Sequence, residues 1–196
     1  WLSRSAANIW GPLRAWARDV GRPLRVLDIA SGGGDVACAL AARAGRAQLP
    51  LQFEGCDFSP RAVAYAQQRA AGHVTFFAHD VLEGGAPAGY DVVVCSLFFH
   101  HLTAPQAQTL LTDMARQARV GLVIHDLRRS SLGLLMAYIG TRALSRSDVV
   151  HTDGVLSARA AFSTHEFAAL ACEAGLRDAT LTTHWPERLR LVWSRS

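Results

Sequence analysis

Residues 26–35 read Val26-Leu27-Asp28-Ile29-Ala30-Ser31-Gly32-Gly33-Gly34-Asp35, and this stretch decides the fold. An apolar run with a carboxylate near its end leads into three glycines, and the alanine-rich segment 36–42 follows. This order predicts a buried strand, a tight turn and the start of a helix. Glycine adopts positive φ and allows a ligand close to the backbone. The stretch therefore predicts a nucleotide-binding loop.

Composition predicts one domain spanning residues 1–196. Half of the 196 residues are apolar, enough for the core of a single domain. No apolar run reaches the roughly 20 residues of a membrane span, so we expect no integral membrane segment. The net charge of +4 comes from arginine alone, and the arginines form no basic stripe. We therefore expect no nucleic-acid partner.

The four cysteines lie far apart in apolar surroundings and lack the paired spacing of a zinc site or a disulfide framework. They predict buried free thiols, no metal, and a reducing cytoplasmic location. These residues are Cys38, Cys56, Cys95 and Cys172.

Strand-like and helical segments alternate along the chain, which predicts an α/β fold with a doubly wound, Rossmann-like, mostly parallel sheet of seven strands. The last two strands flank Trp185-Pro186 and predict a C-terminal antiparallel hairpin. The predicted strands are 24–29, 51–56, 74–78, 90–96, 119–125, 178–183 and 188–194. The predicted helices are 3–19, 35–45, 60–71, 104–117, 130–144 and 164–174.

Ligands of such sheets bind at the carboxyl ends of the strands, which directs attention to the loops that follow each strand. A dinucleotide is disfavoured there, because no third glycine follows Gly34 in register and Asp28 would repel a pyrophosphate. Asp28 suits instead a ligand that carries an ammonium and a sulfonium group.

Asp28-Ile29-Ala30-Ser31-Gly32-Gly33-Gly34 resembles the first motif, D/E-x-G-x-G-x-G, of the class I S-adenosylmethionine-dependent methyltransferases. Ala30 departs from the pattern at its first glycine, and alanine is small enough to keep the backbone approach close. The resemblance implies S-adenosyl-L-methionine as the cofactor, with Asp28, Ala30, Ser31, Gly32 and Gly34 around it.

Three later segments resemble the family's next motifs in order: 53–60, 78–81 and 95–102. The resemblance implies that Asp57 accepts hydrogen bonds from the ribose hydroxyls and that Phe58 lies against the adenine. It further implies that Asp80 and the N–H of Val81 contact the adenine edge, and that Ser96 lines the methionine end.

Two histidines follow strand four and one ends strand five, and all three are candidates for a general base, because imidazole titrates near neutral pH. These are His100, His101 and His125. Alternative roles stay open for all three. His100 and His101 are also compatible with a helix cap or a surface position, and His125 with a hydrogen-bonded end of the strand. Arg128 and Arg129 are candidates for binding an acidic substrate.

Residues 96–99 lack the N/D-P-P-Y/F pattern of amino-methylating relatives, and acidic ligands for a metal are too few, which favours metal-independent transfer to another acceptor. Residues 120–175 resemble bacterial small-molecule methyltransferases, grouped with quinone-biosynthesis enzymes and found beside polyketide genes. This implies a small aromatic, phenolic or polyketide-derived acceptor, with O-methylation favoured. Transfer to carbon of a quinone or lipid-like aromatic, and donor binding without turnover, are the alternatives.

The sequence also predicts a separate role for each of three parts of the chain. Residues 1–20 are expected to form an N-terminal helical lid or to pack on the sheet, residues 24–126 the donor-binding core, and residues 127–160 an acceptor-side helix and loop. No sequence feature predicts the oligomeric state.

Overall fold

The computed structural model of the chain describes residues 2–70, 72–144 and 155–195 and shows one seven-stranded sheet. The strand order is β3-β2-β1-β4-β5-β7-β6, with β7 antiparallel to β5 and β6 and the other pairs parallel. The order reverses direction between β1 and β4, where a doubly wound sheet opens its ligand crevice. The strands are β1 (Leu24–Ile29), β2 (Leu51–Asp57), β3 (Thr75–Ala78), β4 (Val92–Ser96), β5 (Gly121–Leu127), β6 (Thr180–His184) and β7 (Arg188–Ser194).

Helices cover both faces of the sheet, and the alternating side chains of the central strands divide between two buried clusters. Val26, Val92 and Val123 pack with α1, α2 and α3, whereas Leu27 and Ile124 pack with α4 and α7. The helices are α1 (Leu2–Asp19), α2 (Asp35–Arg46), α3 (Pro60–Ala70), α4 (Ala104–Gln117), α5 (Ser131–Leu144), α6 (155–160) and α7 (Thr164–Glu173), with a 3₁₀ turn at Phe99–His101.

The predicted fold class is confirmed, including the C-terminal hairpin. Several predicted boundaries differ by one or two residues, and two of these differences have a clear physical cause. Strand β4 begins at Val92 rather than at residue 90, because Asp91 turns its carboxylate to the Arg22 guanidinium and to the Arg25 N–H. Strand β5 runs to Leu127 rather than to residue 125, because β7 extends its pairing as far as Arg188.

Helix α1 packs on the sheet with one apolar face. Ile9 and Leu13 are fully buried, and the indole N–H of Trp16 donates to Ser194 Oγ at 3.0 Å. Trp1 lies outside the described residues. A lid role for residues 1–20 stays a prediction, while the packing on the sheet is found.

The cysteine prediction needs one correction. All four thiols are free, and Cys56 and Cys95 are buried, but Cys38 is half-buried and Cys172 is exposed on the outer side of α7. Within the described ranges, no helix is long and apolar enough to cross a membrane. The predicted acceptor-side loop at 145–154 lies outside the described residues.

Candidate active site

The loop between β1 and α2 takes the left-handed backbone conformation three times. Ala30 has φ 52°, Gly32 has φ 53° and Gly34 has φ 74°. Glycine adopts such angles freely, whereas a Cβ makes them costly, so Ala30 is strained where the family pattern has glycine. The sequence interpretation considered only the size of Ala30 and missed its backbone angle.

The two outer glycines of the triplet serve different purposes. A Cβ added to Gly34 would lie 2.5 Å from Cζ of Phe76, so this position holds the loop against β3. A Cβ added to Gly32 would meet no atom within 4 Å. Gly32 therefore faces open space, where a ligand reaches the backbone without obstruction.

Asp28 is a buried carboxylate, 1% exposed, and neither of its oxygens has a hydrogen-bond partner among the described residues. Burial raises the pKa of Asp28 to about 7; the backbone N–H of Ala37 opposes this rise without reaching hydrogen-bond geometry. The hydroxyl of Ser31 is likewise buried without a partner. Such orphaned oxygens are rare in folded proteins and fit the ammonium end of the predicted donor.

Asp57 ties the first two ligand loops together. One carboxylate oxygen accepts from the Gly32 N–H at 2.9 Å and the other from the Ser59 N–H at 3.0 Å. The hydroxyl of Ser59 in turn accepts from the Ala62 N–H at 3.3 Å and caps α3. Asp57 thus fixes the glycine loop beside the place predicted for the ribose.

A cavity of about 490 Å³ lies at the carboxyl ends of the strands, within the size range of small-molecule sites. Six predicted site residues line it, together with His79, Leu82, Leu97 and Phe98; they are Ala30, Asp57, Phe58, Asp80, Val81 and His101. Phe58 is 70% exposed and leaves its ring available for stacking. A larger groove of about 820 Å³ along α2 contains none of the predicted residues.

The other predicted residues do not line this cavity: Asp28, Ser31, Gly32, Gly34, Ser96, His100 and His125. Asp28 lies near the end of β1, and Ser31, Gly32 and Gly34 belong to the loop that follows it. Ser96 ends β4 and pairs with His125 of β5. Leu97 follows with φ 56°. Of the four non-glycine residues with positive φ in the described ranges, two line the cavity, Ala30 and Leu97. Strained backbone of this kind is often found at functional sites.

His100 and His101 point to different environments. His100 is buried, and its Nδ1 lies 2.7 Å from Asp126 Oδ1. Asp126 also accepts from the backbone N–H groups of Phe98, Phe99 and Leu127. His101 is exposed to the cavity, with its ring centroid 4.0 Å from that of His100.

His125 lies under α1 and does not line the cavity. Its Nδ1 is 3.1 Å from Ser5 Oγ and its Nε2 is 2.9 Å from Asn8 Nδ2. Burial, reinforced by Arg188, lowers the pKa of His125 to about 4. The ring is therefore neutral at physiological pH and has both nitrogens engaged, which is the strand-end arrangement that the sequence left open.

The two predicted substrate arginines pair with carboxylates of the same chain. Arg128 donates to Glu187 through Nε and Nη2, at 3.0 and 2.6 Å, and Arg129 pairs with Glu166. Glu187 and Arg190 were not predictable as site residues, because both lie in the C-terminal hairpin, which carries no recognised motif.

Comparison with known proteins identifies the domain. Residues 26–121 match a family described as a methyltransferase domain. Residues 26–121 form a methyltransferase domain. The match runs from β1 to the start of β5, so the predicted enzyme class and the donor S-adenosylmethionine are confirmed. No curated protein matches the sequence.

Solved structures share the fold of this methyltransferase. Magnesium protoporphyrin IX methyltransferase from Synechocystis PCC 6803, with bound SAH, is 18% identical with a TM-score of 0.68, over 99% of this chain and 83% of that one. The plantazolicin methyltransferase BamL is 14% identical with a TM-score of 0.73, over 100% and 86%. A putative O-methyltransferase from Nostoc punctiforme is 19% identical with a TM-score of 0.65, over 99% and 60%.

The strain at Ala30 gives a first prediction. Because glycine adopts φ 52° without a Cβ clash, Ala30→Gly is expected to stabilise the methyltransferase by about 0.5–1 kcal/mol. Urea unfolding measures the change. The matched control is Ala42→Gly, at an exposed position of α2, which is expected to destabilise by about 1 kcal/mol. Equal losses in the two variants would show that Ala30 is not strained.

Proposed function

We propose that this methyltransferase transfers a methyl group to a hydroxyl oxygen of a small aromatic acceptor, with His101 as the general base. The observation that carries the proposal is the position of His101 in the donor cavity beside the buried His100–Asp126 pair. A phenol must lose its proton as its oxygen attacks, and imidazole accepts a proton near neutral pH.

The donor, when bound, supplies an electrophilic methyl group and a neutral sulfide leaving group. Asp28 would face its ammonium group, Asp57 its ribose, and Phe58 and Asp80 its adenine. Orientation of donor and acceptor and exclusion of water are the protein's main contributions to such a displacement.

His100 acts as a positioning residue in this proposal. The carboxylate of Asp126 only accepts hydrogen bonds, so His100 Nδ1 carries the proton and donates it to Asp126. The fixed ring of His100 then supports the ring of His101 at a centroid distance of 4.0 Å. The acceptor hydroxyl gives its proton to His101 as the oxygen attacks.

We also propose that residues 127–160 form the part of the site that binds the acceptor. The support is that α5 begins shortly after the end of β5 and is rich in apolar residues. We also propose a cytoplasmic location, for which the buried free thiols Cys56 and Cys95 are the support. Both assignments follow from the sequence predictions.

Isotope transfer from labelled S-adenosylmethionine to a panel of phenols, followed by mass spectrometry of the products, tests the reaction. We expect label on oxygen. Label on ring carbon would establish C-methylation instead, and tight donor binding without transfer to any acceptor would indicate a binding protein.

The base is tested by His101→Gln. We expect kcat to fall by about 10²–10⁴, the usual contribution of a general base, while the donor Kd stays within twofold. The control is His165→Gln, at an exposed position of α7, which should leave kcat unchanged. Full turnover by His101→Gln would remove His101 from the mechanism.

A further inference from the structure

One corner of the sheet, on the face that α1 covers, collects cationic and imidazole side chains. Strand register places Arg190 of β7 between His125 of β5 and Thr182 of β6. Arg188 of β7 and His184 of β6 form the next pair on the same face, closer to the carboxyl end of β5. Side chains of directly paired residues lie on the same face, so these groups share one surface.

Arg190 is half-buried and has no anionic partner among the described residues. Its Nη1 donates to the backbone carbonyl of Asn8 at 3.0 Å, and its Nε is buried with no hydrogen-bond partner in the described part of the chain. Arg128 and Arg129, by contrast, each form an ion pair with a carboxylate. Arg195 donates to three backbone carbonyls. The buried Nε of Arg190 is therefore an unsatisfied donor, which is unusual in a folded protein.

The surroundings of Arg190 are also short of negative charge. Burial lowers the pKa of both Arg188 and Arg190. The pKa of His184 is also lowered, mainly by burial and to a smaller extent by the charge of Arg190. Asp126 is the nearest carboxylate along the strand, but its oxygens already serve His100 and three backbone N–H groups. An anion here would stabilise the corner.

This corner adjoins the donor cavity. Leu97 lines the cavity, and its N–H donates to the carbonyl of His125 at 3.0 Å. His125 in turn pairs with Arg190 across β5 and β7. Two strand spacings of about 4.8 Å place the Arg190 backbone about 10 Å from β4. A small aromatic molecule spans that distance.

We propose that the acceptor carries a carboxylate, which binds Arg190 between α1 and the edge formed by β5, β7 and β6. The inference rests on the proposed function and adds the chemical class of its substrate, a hydroxylated aromatic acid. A guanidinium presents Nε–H and Nη–H in the fork that matches a carboxylate, and α1 holds the other edge of the guanidinium through Asn8.

Calorimetry tests the site without turnover. Benzoate, benzamide and acetate are titrated into the protein saturated with S-adenosylhomocysteine. We expect benzoate to bind at least tenfold more tightly than benzamide, because only the carboxylate satisfies Arg190. Acetate is expected to bind more weakly than benzoate, because it lacks the aromatic ring.

Variants assign the effect to Arg190. Arg190→Gln should weaken benzoate binding at least tenfold and leave benzamide unchanged, and Arg190→Lys should restore part of the affinity. Arg14→Gln, at an exposed position of α1, is the matched control and should bind benzoate normally. Thermal unfolding checks that each variant is folded.

Four results would overturn the proposal: no binding of benzoate, equal binding of benzoate and benzamide, wild-type affinity in Arg190→Gln, or acetate binding as tightly as benzoate. The last result indicates a simple anion site. Failure of the proposed function is distinguishable, because methyl transfer to phenols would then be absent while the benzoate titrations still report on Arg190.

Discussion

Asp28→Asn is expected to stabilise the donor-free protein above pH 7 and to weaken donor binding at the same time. The wild-type carboxylate is buried and has no hydrogen-bond partner in the described part of the chain. Asparagine has nearly the same shape and no charge, so it removes the cost of burying an anion. An unpaired amide retains its own cost, and we expect a net gain of about 1–2 kcal/mol at pH 8.

The pH dependence of the wild-type protein follows from the same group. Burial raises the pKa of Asp28 to about 7 in the folded state, against about 3.9 in an unfolded chain. Between these values the folded state holds a proton that the unfolded state has lost. The contribution of Asp28 therefore makes stability fall as pH rises from about 4 to 7, and it is constant above that.

Donor affinity should change in the opposite direction. The ammonium group of the donor favours the ionised form of Asp28, so the wild-type donor Kd should decrease as pH rises through 7. In Asp28→Asn the Kd should be higher by at least tenfold at pH 8, and this contribution to its pH dependence should be absent.

Urea unfolding at pH 5 and pH 8 and calorimetry with S-adenosylmethionine measure the two effects. The control is Asp80→Asn, whose carboxylate lines the cavity and accepts from the Leu82 N–H at 2.9 Å. This variant should lose donor affinity without any gain in stability. An Asp28→Asn protein no more stable than the wild type at pH 8 would refute the burial argument.

The sequence predicted well the features that depend on neighbouring residues. The apolar run before Asp28 predicted β1, and the glycine triplet predicted a loop that the structure shows with two of its glycines at positive φ. The hairpin was also predictable, because Trp185-Pro186 interrupts two strand-like runs. In each case the signal and the structure lie within a few residues of one another.

Features that depend on distant pairing were not predictable. His125 and Ser5 are 120 positions apart, and the contact exists because α1 packs across β5. Arg190 reaches the same place because β7 inserts beside β5 rather than extending the hairpin at the far edge. No local pattern determines which strand β7 pairs with, so the environment of His125 needed the tertiary structure.

Asp126→Asn is expected to reduce both stability and turnover, because the Asp126 carboxylate holds the loop after β4 in place. One oxygen accepts from the Phe98 and Phe99 N–H groups at 2.9 and 2.6 Å, and the other from His100 at 2.7 Å and from the Leu127 N–H at 2.6 Å. Asparagine replaces one oxygen by an NH₂ group, which cannot accept, and so leaves buried donors facing a donor.

We expect the free energy of unfolding to fall by about 3 kcal/mol, since removing one partner of a buried polar network costs several kcal/mol. Urea unfolding measures the loss. The control is Asp113→Asn, where a more exposed carboxylate pairs with Arg116 at 3.5 Å. That variant is expected to change stability by less than about 0.5 kcal/mol, because exposed ion pairs contribute little.

Turnover separates a positioning role from a purely structural one. If Asp126 acts on the reaction through His100, then kcat should fall about 10²-fold in Asp126→Asn and in His100→Gln, and the double variant should be no slower than either single one. Independent roles would instead multiply the two losses. Donor affinity should stay within threefold in all three proteins, measured well below their unfolding temperatures, since neither side chain lines the cavity. Multiplicative losses, or a parallel loss of donor binding, would show that Asp126 supports the loop without orienting His100 for catalysis.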